Sequence, residues 1–174
     1  MAKRRTRKFK RRTTRWSSNI AEFSNQNLSA GAGVFFNSTT LATNPSQTTL
    51  GVSQIYTCKN FDINFTIESA NSWSLENMTA YIMFVPQGMV VDSNYNLDHP
   101  EYILNYKYLG SPTNTGTSVS SESQQFQPTR LRTRMARKLQ TGDGIILFIK
   151  GLNEGTSTLS YNLSGLVRWW TKAN

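Results

Sequence analysis

The strongest constraint on the fold is a run of strict alternation. Phe61, Ile63, Phe65 and Ile67 are apolar, and Asp62, Asn64, Thr66 and Glu68 are polar. Successive side chains of a strand point to opposite faces, so this is a strand with one buried and one solvated face. A second alternation sets Leu159, Tyr161, Leu163, Gly165, Val167 and Trp169 against Ser160, Asn162, Ser164, Leu166 and Arg168. Residues 80–85 and 145–149 are continuously apolar, bounded by Pro86-Gln87-Gly88 and Gly142-Asp143-Gly144. Short apolar runs between turn signals suit strands buried on both faces. A further strand is predicted over 129–136, with Leu131, Thr133 and Met135 on one face and Arg130, Arg132 and Arg134 on the other.

Helix is scarce. One short helix is predicted near 99–106, with Asp98 as its cap and Pro100 at the first helical position. Residues 17–33 are small and polar apart from Ile20, Phe23 and Leu28, and read as a connector that pairs late or along an edge. Residues 110–127, dominated by Ser, Thr, Gln, Asn and Gly, read as a long surface loop. Seven or eight strands with long polar connections indicate an all-β antiparallel sandwich or barrel, the jelly roll leading. There is no internal repeat. A chain of 174 residues can bury a core without disulfides or metal. The single cysteine, Cys58, is expected to be a small buried strand residue.

The charge is concentrated. Nine of the 19 Lys and Arg residues are Lys3, Arg4, Arg5, Arg7, Lys8, Lys10, Arg11, Arg12 and Arg15, and no acid precedes Glu22. The other ten meet ten Asp and Glu, so residues 16–174 sum to zero and the net +9 belongs to the arm. The division is therefore a basic arm over 1–16, which repels itself and cannot fold alone, and a body over 17–174. A flexible cationic arm neutralises phosphates and releases counterions, a sequence-independent mode of polyanion binding. The plainer reading is a solubilising tail. Trp16 and Phe9 are candidates to stack on bases, or Trp16 to anchor the arm to the body.

No stretch reaches the ~18 apolar residues of a membrane span, so no membrane insertion is expected. No apolar run follows the arm as in a secretory signal, and Phe9 is too isolated for an amphipathic presequence. The Asn-x-Ser/Thr triplets at Asn37, Asn64, Asn77 and Asn162 are accordingly read as chance. Catalysis is not expected: His99 is the one histidine, with no local partner for a triad, and there is no phosphate-binding Gly-Lys loop. No cofactor is called for, and no Cys/His cluster has metal spacing.

Two constellations remain open. Arg130, Arg132 and Arg134, extended by Arg137 and Lys138, form a basic face that is solvated, meets nucleic acid, or pairs with acids of an adjacent subunit. Trp170 falls on the face opposite Trp169, beside Arg168, as an interface anchor or a residue half-covered by a loop.

The chain resembles the capsid proteins of circovirus-like viruses, whose small circular single-stranded DNA genomes encode a replication initiator. The resemblance rests on the opening Met-Ala-Lys-Arg-Arg-Thr-Arg-Lys and on Tyr81-Ile-Met-Phe-Val-Pro-Gln-Gly88. It also rests on His99-Pro-Glu-Tyr102, Arg130-Leu-Arg-Thr-Arg-Met-Ala-Arg-Lys-Leu139 with Gly142-Asp143, and Gly165-Leu-Val-Arg-Trp-Trp170. It implies an eight-stranded jelly roll and a sixty-subunit T=1 shell of identical chains. The arm would point inward to viral single-stranded DNA and serve nuclear import through host import receptors. The 110–127 loop would face outward, toward a cell-surface receptor of unknown identity. Localisation would be the virion, and the host nucleus during assembly. The alternative function is a monomeric nucleic-acid-binding β-domain with a basic tail; a carbohydrate-binding sandwich or a hydrolase is more remote.

Overall fold

The computed structural model describes residues 15–44, 55–70, 75–110, 113–114, 123–125 and 128–173. Seven long strands dominate: β1 (Ser17–Ala30), β2 (Gly33–Thr43), β3 (Tyr56–Ala70), β4 (Leu75–Val85), β5 (Ile103–Gly110), β10 (Gly144–Asn153) and β11 (Leu159–Ala173). Four short ones are β6 (Thr113–Asn114), β7 (Ser123–Gln125), β8 (Thr129–Arg132) and β9 (Ala136–Leu139). They form two antiparallel sheets. In the larger, β1 pairs with β11 and β11 with β3, and the far edge of β3 is shared by β9, β8 and β7, with β6 beyond β7. The smaller runs β2-β10-β4-β5. The first strand thus lies beside the last, and all but the tightest pairings cross between distant parts of the chain.

The alternation in β3 becomes the core. Phe61, Ile63, Phe65 and Ile67 are all buried, as are Tyr161, Leu163 and Val167 of β11. They pack against Ile145, Leu147 and Ile149 of β10 and against Ile82 of β4, closing the sandwich. Each such side chain contributes roughly 1.5–3 kcal/mol relative to exposure. The apolar run of β10 has a separate cause. Ile146 and Phe148 face away from the sandwich into a second cluster with Met83 and Tyr95, supported by Tyr102, Val91 and Ile103. The connection between β4 and β5 lies over this face. Strand β10 is therefore buried on both sides, as its unbroken apolar run predicts.

A clasp holds one end of the sandwich. Asp143 is buried, and its carboxylate accepts the backbone N–H groups of Gln140 (2.8 Å) and Gln87 (2.9 Å). Its carbonyl accepts Asn44 N–H at 3.0 Å, the Asn44 carbonyl accepts Gly142 N–H at 3.0 Å, and the Asn44 side chain donates to the Leu139 carbonyl. Three connections are thereby tied together. Gly142 has a φ of +85° there, which L side chains adopt only with strain.

The structure departs from the sequence-based expectations in four places. The helix lies before Pro100: α1 spans Tyr95–Asp98, followed by a 3₁₀ turn at Pro100–Tyr102. The residue before a proline disfavours helical backbone, and His99 (φ −128°, ψ 60°) breaks the run. Asp98 ends the helix rather than capping it, and Ile103 onward is drawn into β5. The predicted 129–136 strand is interrupted after Arg132. Thr133 still donates its N–H to the Phe61 carbonyl, but its hydroxyl accepts Met135 N–H at 3.1 Å. That local bond competes with the ladder, and Met135 turns outward, 48% exposed. Residues 110–127 are not all loop, since β6 and β7 extend the larger sheet. The 17–33 segment does pair along an edge, but as a full strand, β1, that ends at Ala30 rather than as a connector, and sparse apolar content suits that edge. Among the described residues no helix is long and apolar enough to cross a membrane.

Candidate nucleic-acid interface

The solvent face of the larger sheet follows from register. Arg168 of β11 pairs with Asp62 of β3, and Asp62 with Arg132 of β8. In the next row Leu166, Asn64 and Arg130 stand side by side. At the other end Lys172, Thr57 and Lys138 form a row, and Trp170 pairs with Lys59. Alternation sends all of these away from the core. Arg134, between β8 and β9, lines the same face beside Arg132 and Trp170, so among the described residues seven cations (Lys59, Arg130, Arg132, Arg134, Lys138, Arg168, Lys172) share it with three carboxylates (Glu22, Asp62, Glu68). A body that sums to zero is strongly segregated in space.

Asp62 organises the centre. Arg130 donates Nε to Oδ1 at 2.8 Å and Nη2 to Oδ2 at 2.6 Å, a two-pronged pair, and Arg132 Nε lies 3.5 Å from Oδ2. The Arg130 hydrogen bond holds the Asp62 carboxyl below its ordinary pKa, against partial desolvation, with the charges of Arg130, Arg132 and Arg168 adding to the effect. The carboxylate reciprocally raises the pKa of Arg130. One carboxylate cannot neutralise three guanidiniums. Among the described residues no acid stands within ion-pair distance of Arg134 or Arg168. The face retains positive charge for an outside anion.

The arm begins at this face. Arg15 is exposed, and the next residue, Trp16, lies under the ammonium of Lys59, 3.7 Å from the ring centroid. This cation–π contact fits the reading of Trp16 as an anchor. Lys3, Arg4, Arg5, Arg7, Lys8, Lys10, Arg11 and Arg12 lie outside the described residues.

The two tryptophans near the end of β11 diverge. Trp169 stacks on Phe61 with centroids 6.2 Å apart and planes 5° from parallel. Trp170 faces the other way, half-buried, and lines a concavity of about 510 Å³ with Asn60, Asp62, Arg132, Thr133 and Arg134. A bulge at Asn60 (φ 54°) shifts register between Arg168 and Trp170, which brings these groups together.

Arg137 does not extend the arginine face. It pairs with Cys58, on the core side of the sheet, where Nη2 donates to the Glu101 carbonyl at 2.7 Å and the guanidinium lies over Phe84. Lys138 does lie on the face with Arg130, Arg132 and Arg134. Sequence reasoning missed Lys59, Arg168 and Lys172, which are scattered in sequence and joined only by strand pairing. Arg168 on the polar side of the closing alternation was the available signal.

Two other singled-out residues are structural. Burial pushes the Cys58 thiol up to about 11, leaving it protonated. His99 is packed between Tyr95 and Tyr102, at 5.1 and 5.2 Å between ring centroids, with Nδ1 3.4 Å from Glu101.

No family model and no curated protein matches the chain. Among solved structures, a structure of infectious bursal disease virus, Gx strain, aligns over 90% of this chain and 32% of that one, at 11% identity and a TM-score of 0.35. The VP2 subviral particle of infectious bursal disease virus aligns over 93% and 42%, at 9% identity and a TM-score of 0.26. The chain thus spans less than half the length of these solved chains, and likeness at this level is too distant to carry function.

Proposed function

We propose that the chain is a viral capsid protein whose sandwich assembles with identical copies and whose basic arm and adjoining sheet face hold the packaged nucleic acid. The observation that carries this reading is that the arm's root, Arg15 and Trp16, sits on the cationic face of the larger sheet. Arm and face then form one continuous polyanion-binding surface.

The finer reading is an eight-stranded jelly roll in a T=1 shell of sixty subunits around single-stranded DNA. Its support is the strand order, in which the first strand lies beside the last and β2-β10-β4-β5 stands opposite. If β8 and β9 are counted as one interrupted strand, the long strands with it number eight. The resemblance of its motifs to those of circovirus-like capsid proteins adds to this. Self-association is further supported by exposed apolar side chains on the body, Val90 at 81%, Leu97 at 65% and Tyr106 at 64% among them. The role is structural and calls for no catalysis or cofactor. Nuclear import through the arm and attachment of the 110–127 segment to a cell-surface receptor complete the proposal.

Deleting residues 1–15 tests it. The truncated chain should still form closed particles but lose most nuclease-protected nucleic acid. Failure of the full chain to assemble across salt and pH would refute the shell. One observation favours a second reading, a monomeric nucleic-acid-binding domain: the body carries a basic sheet face with an aromatic on it, as such a module requires. Binding without assembly would establish that alternative.

A further inference from the structure

We infer that the concavity beside Trp170 is a nucleotide subsite, in which one base of a single-stranded polynucleotide stacks on the indole while Arg132 and Arg134 take the flanking phosphates. This rests on the reading of the sheet face as polynucleotide-binding and adds a base-dependent contact to it. Electrostatics alone would hold any polyanion.

Three observations meet here. First, Trp170 lies on the charged face although its neighbour Trp169 is stacked into the core on Phe61. Among the described residues no ring and no cation is packed on Trp170, whereas Trp16 has Lys59 over it. Second, the concavity of about 510 Å³ is within the ~300–1,000 Å³ usual for sites that enclose small ligands. Third, its rim carries two exposed guanidiniums, Arg132 shared weakly with Asp62 at 3.5 Å and Arg134 with no acid within ion-pair distance among the described residues. An aromatic platform beside cations is the arrangement that binds single strands without sequence preference, because every base offers a π-face. Asp62 lines the site, and its bidentate pair with Arg130 fixes the position of that carboxylate.

The position extends the arm's reach. A strand held by the arm at Trp16 and Lys59 meets the Trp170 row next, since Trp170 pairs with Lys59 and Ser18. The arm would supply charge, and the pocket would hold the strand in place.

The test uses dissociated, nucleic-acid-free subunits of the full chain, with an oligothymidylate and an abasic deoxyribose-phosphate chain of equal length as probes, followed by fluorescence anisotropy over a salt series. W170L should weaken oligothymidylate binding about tenfold and leave abasic binding and the salt slope unchanged. W170F, which keeps an aromatic face, should restore most of the affinity. R134Q should weaken both probes and reduce the single-strand salt slope by about 0.7. Oligothymidylate should quench wild-type tryptophan fluorescence more than that of W170F. Unchanged oligothymidylate affinity in W170L, or equal loss for both probes, would overturn the subsite. Tight binding without dependence on Trp170 removes the pocket alone, whereas a full chain that binds neither probe removes the nucleic-acid reading as well.

Discussion

Replacing Asp143 with alanine should unfasten one end of the sandwich. The carboxylate is buried and accepts two backbone N–H groups, from Gln140 at 2.8 Å and Gln87 at 2.9 Å. Each donor left unpaired in a buried site costs about 1–3 kcal/mol. Gln87 and Gln140 are themselves exposed, so water would reach part of the vacated site and the lower half of that range applies. The expected loss is about 2–4 kcal/mol, which at roughly 2–4 °C per kcal/mol lowers Tm by about 5–15 °C. Urea unfolding of dissociated subunits, followed by tryptophan fluorescence, should show a lower midpoint at constant slope. D143N should recover at most half of the loss, because its carboxamide can accept one N–H but sets a donor against the other. Hydrogen exchange should quicken at Asn44 and Gly142, whose N–H groups are bonded within the clasp. A D143A variant within about 0.5 kcal/mol of wild type, the range of ordinary surface substitutions, would refute this account of the corner.

Other perturbations follow the same logic. Gly165→Ala puts a Cβ 2.5 Å from the Asn64 carbonyl oxygen and 2.7 Å from the Phe23 ring, where β11 lies between β1 and β3. Backbone cannot yield as a side chain can, so denaturation should show a loss of about 1–3 kcal/mol or more. The Cys58 thiol, held near 11 and buried, should resist alkylation at neutral pH in the folded subunit and react on unfolding; rapid modification under native conditions would contradict its placement. The Asp62 carboxyl has a depressed pKa in the folded state, so its contribution is fully present above its unfolded pKa of about 3.9 and is lost as pH falls through the lower folded value. The stability difference between wild type and D62N should therefore be constant near neutrality and shrink in acid, and a difference that grows in acid would reverse the sign.

Much of the fold was legible because local pattern and burial coincide. The alternation of Phe61 to Ile67 and the apolar run at 145–149 both report the faces that tertiary structure covers. Strand pairing is not local, and there the sequence was silent. Nothing in the neighbourhood of Arg168 says that it stands beside Asp62, and so a body of zero net charge hid a cationic face. A neutral sum alone argues against a nucleic-acid-binding body, and segregation of the charges removes that objection. At Thr133 a single side-chain bond to Met135 N–H outweighed a clean period-two pattern. Arg137 kept the parity of the buried set, and simple alternation from Leu131 and Thr133 would have separated it from Arg130, Arg132 and Arg134. The polar 17–33 segment concealed a strand because an edge strand has less apolar surface to bury.

Electron microscopy of the purified full chain, paired with the absorbance ratio at 260 and 280 nm before and after nuclease, decides whether the chain builds a shell around nucleic acid. A capsid protein should give uniform closed particles that retain protected nucleic acid. A monodisperse monomer that binds oligonucleotides but never assembles, at any salt or pH, would contradict the capsid reading.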